Sequence, residues 1–306
     1  MIMQTQRLTL PDLPRPVGTG WLRSPPDMRD YHVKHDSIKP ALTTLGLSKK
    51  QDKIVLPDNM DLSDWCSPIE DQGQIGSCTA QAAVGIAEYF QNRVFGQYTE
   101  GSRLFVYKTT RKLMGWEGDT GAFMRSAMGA LRLCGIAPEK YWQYTDDPIL
   151  FDEEPPAFVY SVADNFEATH YFCHDPIRLS ISKDEVLNSV KSFIASGVPS
   201  MFGFWIFDSF YESERPGDIP MPGIYERNQG GHAVVAIGYD DDYEIVNTFN
   251  NQKTKGAIKI RNSWGESWGN QGYGWLPYDY VLAGLADEFW SLFDMDWIDT
   301  DEFGLE

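Results

Sequence analysis

Long apolar stretches are missing from this chain of 306 residues. No segment reaches the roughly eighteen consecutive apolar residues that a membrane-spanning helix needs. The first sixteen residues, MIMQTQRLTLPDLPRP, have no apolar core of signal-peptide length. The sequence therefore predicts a protein without a membrane span. The cytoplasm is its default location, and non-classical secretion stays open.

Cysteine and positive charge are also scarce. Four cysteines are too few for a disulfide scaffold. The chain has 26 Lys and Arg against 44 Asp and Glu, which leaves a net charge of −18. Because so acidic a surface repels phosphate backbones, we expect no nucleic-acid partner. The small number of cysteines raises the question of whether one of them is reactive.

The first 58 residues differ from the rest of the chain. They hold seven of the eighteen prolines, and nine Lys or Arg against six Asp or Glu, a balance of +3. Since the whole chain carries −18, the other 248 residues carry −21. A basic, irregular arm on an acidic body suggests intramolecular docking, with Trp21, Met28 and Tyr31 as apolar anchors. A solvated linker or disordered tail is the alternative.

Helical patterns fill the first half of the chain, and strand patterns fill most of the second. Helices are predicted over 78–94, about 121–133 and about 183–197. Short β-branched or aromatic runs predict the strands MFGFWIF, HAVVAIGY, DYEIVNTF, GAIKIRN, GYGWL and EFWSLF. The three aspartates at 240–242 indicate a hairpin turn with solvated charge. The order of elements predicts an α+β fold.

Cys78 lies in the run GQIGSCT, where a glycine-containing loop enters the first of these helices. A thiol at a helix N-terminus faces the positive end of the helix dipole and unpaired N–H groups, which stabilise the nucleophilic thiolate. A small buried cysteine beside a tight turn is the alternative interpretation.

A histidine and an asparagine complete the pattern. His232 opens an apolar strand in GGHAVV, and Asn262 ends another in KIRNSWG, thirty residues later. An asparagine there can accept one imidazole N–H and so fix the tautomer that takes a proton from the thiol of Cys78. The three residue types suit a cysteine nucleophile with an oriented base.

The runs DQGQIGSC, GHA and NSWG, taken together and in this order, resemble the three active-site blocks of the papain family of cysteine peptidases. They are most like its bacterial-type branch. The resemblance covers about residues 58–294. It implies a papain-like fold in which a helical subdomain and an antiparallel β subdomain flank an active-site cleft, and it implies no cofactor.

Further roles follow only from this resemblance. Gln72 matches the glutamine whose side-chain amide helps to form the oxyanion hole, with the backbone N–H of Cys78 as the second donor. Trp264 and Trp268 match tryptophans that shield the Asn–His pair from water, although ordinary core packing explains them as well. The residues expected to line the substrate site are Thr120, Gly121, Gly231 and Trp264.

The resemblance also implies a reaction and a domain organisation. The expected activity is hydrolysis of peptide bonds in peptide or protein substrates, through a thiolate and a thioester. A thiol acyltransferase and a peptide-binding pseudoenzyme are the alternatives. Residues 1–57 are expected to form a pro-segment that lies in the cleft and ends near residues 56–58. Residues 58–306 are then the peptidase domain, helical over about 58–150 and β-rich over about 151–306.

The remaining motifs carry weaker signals. Cys134 fits a core residue at a helix end, and whether Cys66 and Cys173 form a disulfide stays open. The run HYFCHD at 170–175 holds metal-binding residue types but lacks a second spaced pair, so we expect no metal site. The acidic stretch 287–306 predicts a strand followed by a frayed tail.

Overall fold

The structure is a computed structural model that describes residues 5–295 apart from residues 12, 29, 37 and 45–55. Its α-helices are α1 (Lys39–Thr44), α2 (Cys78–Phe95), α3 (Arg103–Met114), α4 (Met124–Cys134), α5 (Ala157–Ala163), α6 (Lys183–Ala195) and α7 (Tyr278–Leu282). Its strands are β1 (Gln6–Leu8), β2 (Val17–Thr19), β3 (Trp21–Leu22), β4 (Asn59–Asp61), β5 (Ala122–Phe123), β6 (Ala168–Cys173), β7 (Ser200–Phe207), β8 (Asn228–Val246), β9 (Lys253–Arg261), β10 (Tyr273–Pro277) and β11 (Ala286–Met295).

One large antiparallel sheet organises the C-terminal half of the chain. Its strands follow the order β10-β9-β8-β7-β11-β6, and β4 pairs with β8 beside this path. Strand β7 places Phe204 opposite His232 of β8. The helices and this sheet confirm the predicted α+β class. Strand β11 confirms the last predicted strand, whereas the predicted acidic tail lies outside the described residues.

Helix α2 lies at the centre of the molecule and packs against β8. It begins at Cys78 and ends at Gly96, which adopts a left-handed φ of 70° and donates its N–H to the carbonyl oxygen of Asn92. Most of its residues are buried, and its alanines permit close packing on all sides. The predicted bounds 78–94 are confirmed to within one residue. In the described part of the chain, no helix is long and apolar enough to cross a bilayer.

Two other predicted helices are present. Helix α6 begins at a capping box in which Ser182 and Glu185 bond to each other's backbone N–H groups. Helix α4 starts three residues later than predicted, because residues 122–123 form strand β5 first.

The predicted hairpin turn at residues 240–242 is wrong. Strand β8 continues through these aspartates, and its register against β9 shifts between Asp240 and Glu244. Asp241 accepts hydrogen bonds from Lys191 and Tyr278. A bulge therefore absorbs the extra polar residues, so the strand bends instead of reversing.

The N-terminal segment packs along the body of the protein. Strands β1 and β2 pair with each other, and β3 pairs in parallel with β5. Trp21 is 1% exposed, as an anchor should be, but Met28 is 79% exposed and Tyr31 is 44% exposed. The prediction that Met28 and Tyr31 are anchors is therefore wrong. The buried apolar residues of the segment are Leu10, Val17, Trp21, Val33 and Ile38.

Candidate active site

Cys78 lies at the first residue of α2 and is fully buried. The backbone N–H groups of Ala233, Gly20, Thr79 and Cys78 itself lie close enough to the sulfur to favour its thiolate. Burial raises the pKa of the thiol to about 12, although these N–H groups act in the opposite direction. Burial therefore outweighs the stabilisation of the thiolate expected at a helix N-terminus.

His232 and Asn262 are joined by a hydrogen bond of 2.7 Å between Nε2 and Oδ1. The same Oδ1 accepts the backbone N–H of Ser263 at 2.8 Å, so the amide oxygen faces the ring and Nε2 carries the proton. Nδ1 is buried and has no hydrogen-bond partner among the described residues. Burial lowers the pKa of His232 to about 4, and the bond to Asn262 opposes that change. The ring is therefore a neutral base with a free lone pair on Nδ1.

Two tryptophans cover this pair. The ring of Trp264 stacks on His232, with centroids 4.2 Å apart and planes at 26°. Trp268 meets Trp264 edge-on at 5.7 Å. Both indoles are buried, so they exclude water from the hydrogen bond between His232 and Asn262.

The side chain of Gln72 is held in one orientation. Its Oε1 accepts a hydrogen bond from the Ser263 hydroxyl at 2.7 Å. Its Nε2 donates to the carbonyl oxygens of Gly18 and Ile75, each at 3.0 Å. The amide N–H group thus already binds a peptide carbonyl, and that carbonyl belongs to the N-terminal segment.

Gly121 and Gly231 also meet the N-terminal segment, and Thr120 lies next to Gly121. Gly121 has a φ of 71°, and a Cβ there would overlap the carbonyl oxygen of Gly20. A Cβ at Gly231 would overlap the carbonyl oxygen of Trp21. Thr120 is buried and donates its hydroxyl to the carbonyl oxygen of Gly121. The two glycines thus leave room for the main chain of the segment at Gly20 and Trp21.

No sequence motif predicted the pocket that receives Trp21. The indole lies 4.8 Å from the ring of Trp205 and directly over Gly203, where a Cβ would overlap it. Its Nε1 donates to Glu288 at 2.8 Å. Burial raises the pKa of Glu288 to about 7. The sequence signal for this pocket was Glu288, the acidic residue that opens the apolar run EFWSLF. A carboxylate buried in such a run needs a specific partner.

The other cysteines and the run at 170–175 take no part in this site. Cys66, Cys134 and Cys173 are free thiols, so the disulfide left open for Cys66 and Cys173 is not formed. His174 bonds to three serine hydroxyls, Nδ1 to Ser189 at 2.8 Å, and Nε2 to Ser291 at 3.0 Å and Ser200 at 3.3 Å. Across the described ranges, no group of three or more metal-binding side chains converges.

Known proteins share both the sequence pattern and the fold. The family model of the papain family cysteine proteases matches residues 56–289. An uncharacterized peptidase C1-like protein of Acanthamoeba polyphaga mimivirus is 31% identical over 287 residues, which are 89% of this chain and 86% of that protein. The oryzain gamma chain of Oryza sativa subsp. japonica is 23% identical over 252 residues, which are 80% of this chain and 62% of the oryzain.

Solved structures support the same assignment. Xylellain, a cysteine protease from Xylella fastidiosa, aligns with a TM-score of 0.70 and 29% identity, covering 95% of this chain and 100% of xylellain. A procathepsin B of Trypanosoma congolense shares the fold at 15% identity, with a TM-score of 0.64 over 90% of this chain and 85% of the other. The predicted papain-like fold is therefore confirmed. This chain is a member of the papain family of cysteine proteases, which hydrolyse peptide bonds.

Proposed function

We propose that this chain is a cysteine peptidase made in a latent form, with its own N-terminal segment lying in the active-site cleft. Cys78 is the nucleophile, His232 is the base and Asn262 orients that base. Gln72 and the backbone N–H of Cys78 form the oxyanion hole. No cofactor is needed for this chemistry.

The reaction follows from these roles. The proton of the Cys78 thiol passes to Nδ1 of His232, and the thiolate attacks the carbonyl carbon of a peptide bond. The oxyanion that forms accepts hydrogen bonds from Nε2 of Gln72 and from the Cys78 N–H. His232 then gives its proton to the leaving amine, and a thioester remains. Water, deprotonated by His232, hydrolyses the thioester and restores the thiol.

The observation that carries the proposal is the position of the N-terminal main chain. The carbonyl oxygen of Gly18 accepts a hydrogen bond from the side-chain amide of Gln72, and the backbone N–H of Gly20 lies near the sulfur of Cys78. A substrate carbonyl cannot reach the same donors until the segment leaves.

Removal of residues 1–57 tests both the activity and the latency. The truncated chain is expected to hydrolyse a fluorogenic peptide and to react with iodoacetamide at least tenfold faster than the full chain. Cys78→Ala in the truncated chain should abolish hydrolysis without loss of thermal stability. Residual hydrolysis above a few per cent would identify a different nucleophile. Equal rates with and without residues 1–57 would contradict the latency.

Product analysis separates hydrolysis from acyl transfer. With an added primary amine, the free acid should remain the main product of the truncated chain. A dominant amide product would favour the transferase. Failure of Cys78 to react with iodoacetamide at all would favour the pseudoenzyme.

A further inference from the structure

Three large apolar side chains stand exposed on two neighbouring loops of the sheet half. Ile224 is 94% exposed, Tyr225 is 97% exposed and Phe249 is 75% exposed. They line a cavity of about 400 Å³, and we call them the apolar shelf. No residue in the described ranges covers them. Grouped exposure of this kind is uncommon on a soluble surface unless something binds there.

The loops beneath the apolar shelf are held by hydrogen bonds. Asn247 Nδ2 donates to the carbonyl oxygen of Met221 at 2.9 Å, which joins the two loops. The carboxylate of Glu226 accepts the N–H groups of Gly223 at 2.6 Å and Ser209 at 2.8 Å. The backbone that carries the shelf is therefore ordered before any partner arrives, and binding there costs little conformational entropy.

The apolar shelf lies on the histidine side of the active site. Ser209, which bonds to Glu226, is followed by Phe210, whose ring meets the ring of Trp264 at 5.9 Å. Glu226 precedes His232 by six residues, and a chain of six residues spans at most about 20 Å, so the shelf lies within that distance of His232. His232 protonates the leaving amine in the proposed reaction, so its side of the cleft receives the substrate residues that follow the scissile bond. The shelf therefore lies on the side of those residues.

Acidic side chains surround the apolar shelf. Asp208, Glu212 and Glu226 line the same cavity. Arg227 pairs with Asp208 at 3.3 Å and compensates one of these charges. The remaining negative potential favours an occupant that carries lysine or arginine between its apolar residues.

We propose that the apolar shelf binds protein substrates between about three and six residues after the scissile bond, at segments in which aromatic or aliphatic residues alternate with basic ones. The proposal rests on the proposed peptidase function. Substrates that end two residues after the scissile bond do not reach the shelf. Longer substrates gain affinity from it, and this gain lowers KM with little change in kcat.

Binding to the full chain tests the shelf independently of catalysis, because the N-terminal segment keeps peptides out of the cleft. A fluorescein-labelled octapeptide that alternates phenylalanine and lysine is titrated by fluorescence anisotropy. Tyr225→Ser combined with Phe249→Ser should weaken binding at least tenfold. The matched control combines Val94→Ser with Ile149→Ser, which are 66% and 78% exposed on the other half of the protein, and it should bind as the wild type does. An octapeptide of phenylalanine and glutamate should bind more weakly.

Hydrolysis tests the link to substrates. In the full chain with Gly20→Ala, which we expect to uncover the cleft, the shelf variant should lose about fivefold in kcat/KM, through KM, on a substrate with eight residues after the scissile bond. It should retain its rate on a substrate with two. Equal losses on both substrates, or unchanged anisotropy, overturn the proposal. So does a dimer that the shelf substitutions dissociate, since a second copy is then the occupant. If neither substrate is cleaved, the peptidase proposal fails, and the anisotropy titration still decides whether the shelf binds peptide.

Discussion

Two parts of the N-terminal segment dock by different means. The cleft part, residues 17–24, approaches the catalytic residues through its main chain, with the Gly18 carbonyl on Gln72 and the Gly20 N–H on Cys78. The outer part, residues 30–36 and 38, docks through side chains. Ile38 and Val33 pack in a small apolar cluster that is separate from the main core.

The two parts therefore contribute differently: the cleft part excludes substrate from the active site, and the outer part attaches the segment to the body of the protein. Main-chain contacts in a glycine-lined cleft resemble those of any extended peptide, so they exclude substrate but add little specificity, and Trp21 is the side chain of this part that adds a specific contact, to Glu288. The outer part contributes side-chain contacts that only this sequence provides. Asp30, for example, is 3% exposed and accepts two hydrogen bonds from the guanidinium of Arg125. We therefore expect changes in the two parts to have separable effects.

The largest effect is expected from Gly20→Ala. A Cβ at this residue would overlap the backbone of Gly76, which cannot move aside as a flexible side chain does. The cleft part should leave the site, and iodoacetamide should label Cys78 about a hundredfold faster or more. Gly129→Ala is the control, because its Cβ would meet only a side-chain carbon of Leu113 at 3.9 Å. Unchanged labelling in Gly20→Ala would mean that the cleft part does not protect the thiol.

A smaller effect on the thiol is expected from Ile38→Ala. Ile38 is 1% exposed, and truncation of such a buried side chain costs about 2–5 kcal/mol. Hydrogen exchange should quicken most at the outer part, while labelling of Cys78 rises only about tenfold. If labelling rises as much as in Gly20→Ala, the two parts dock as one cooperative unit, and the comparison fails.

The two parts should respond to pH in opposite directions. Burial raises the pKa of Glu288, beneath Trp21, from 4.5 to about 7. Docking of the cleft part is then strongest below pH 4.5 and weakens as pH rises through 7. Burial lowers the pKa of His32, in the outer part, from 6.5 to about 4. Docking of the outer part is then strongest above pH 6.5 and weakens as pH falls through 4.

Hydrogen exchange between pH 4 and pH 8, corrected for intrinsic rates, measures these responses. Glu288→Gln should remove the pH dependence of the cleft part alone, and His32→Asn that of the outer part alone. Charged neighbours contribute as well: Asp175 raises the pKa of Glu288, and Lys34 lowers that of His32. A wild-type segment whose two parts open together at one pH would contradict the assignment.

The smallest effect is expected from Arg15→Gln. Arg15 bonds to Asp71 at 2.8 Å and to Asp146 at 3.1 Å, but its side chain is 43% exposed. An ion pair this exposed is worth about 1 kcal/mol or less. The rate of Cys78 labelling should rise less than fivefold at low salt. It should not rise at all near 1 M salt, where the Debye length is only about 3 Å. A larger change would mean that charge, not packing, holds the segment.

Local patterns were sufficient to predict the elements that carry the site. Helix α2 and the apolar run of β8 from His232 onward have strong sequence patterns, although β8 itself begins earlier, at Asn228. The bulge at 240–242 was missed because it depends on the register of β8 against β9. The burial of Val33 and Ile38, and the exposure of Met28, depend on which face of an irregular segment meets the body, and that segment has no periodicity to indicate it.

By itself the sequence determined that a thiol, an imidazole and two amides occur in the order and local context of a cysteine peptidase, because short motifs and helix and strand periodicity carry that information. Only the tertiary structure decided the protonation states and the access to the site. The pKa values of Cys78 and His232 depend on their burial in the folded chain, where Trp264 stacks on the imidazole. Glu288 acquires its role only where Trp21, 267 residues away in sequence, donates to it. Such contacts between distant segments leave no local pattern, because each side chain is compatible with many neighbours until the chain has folded.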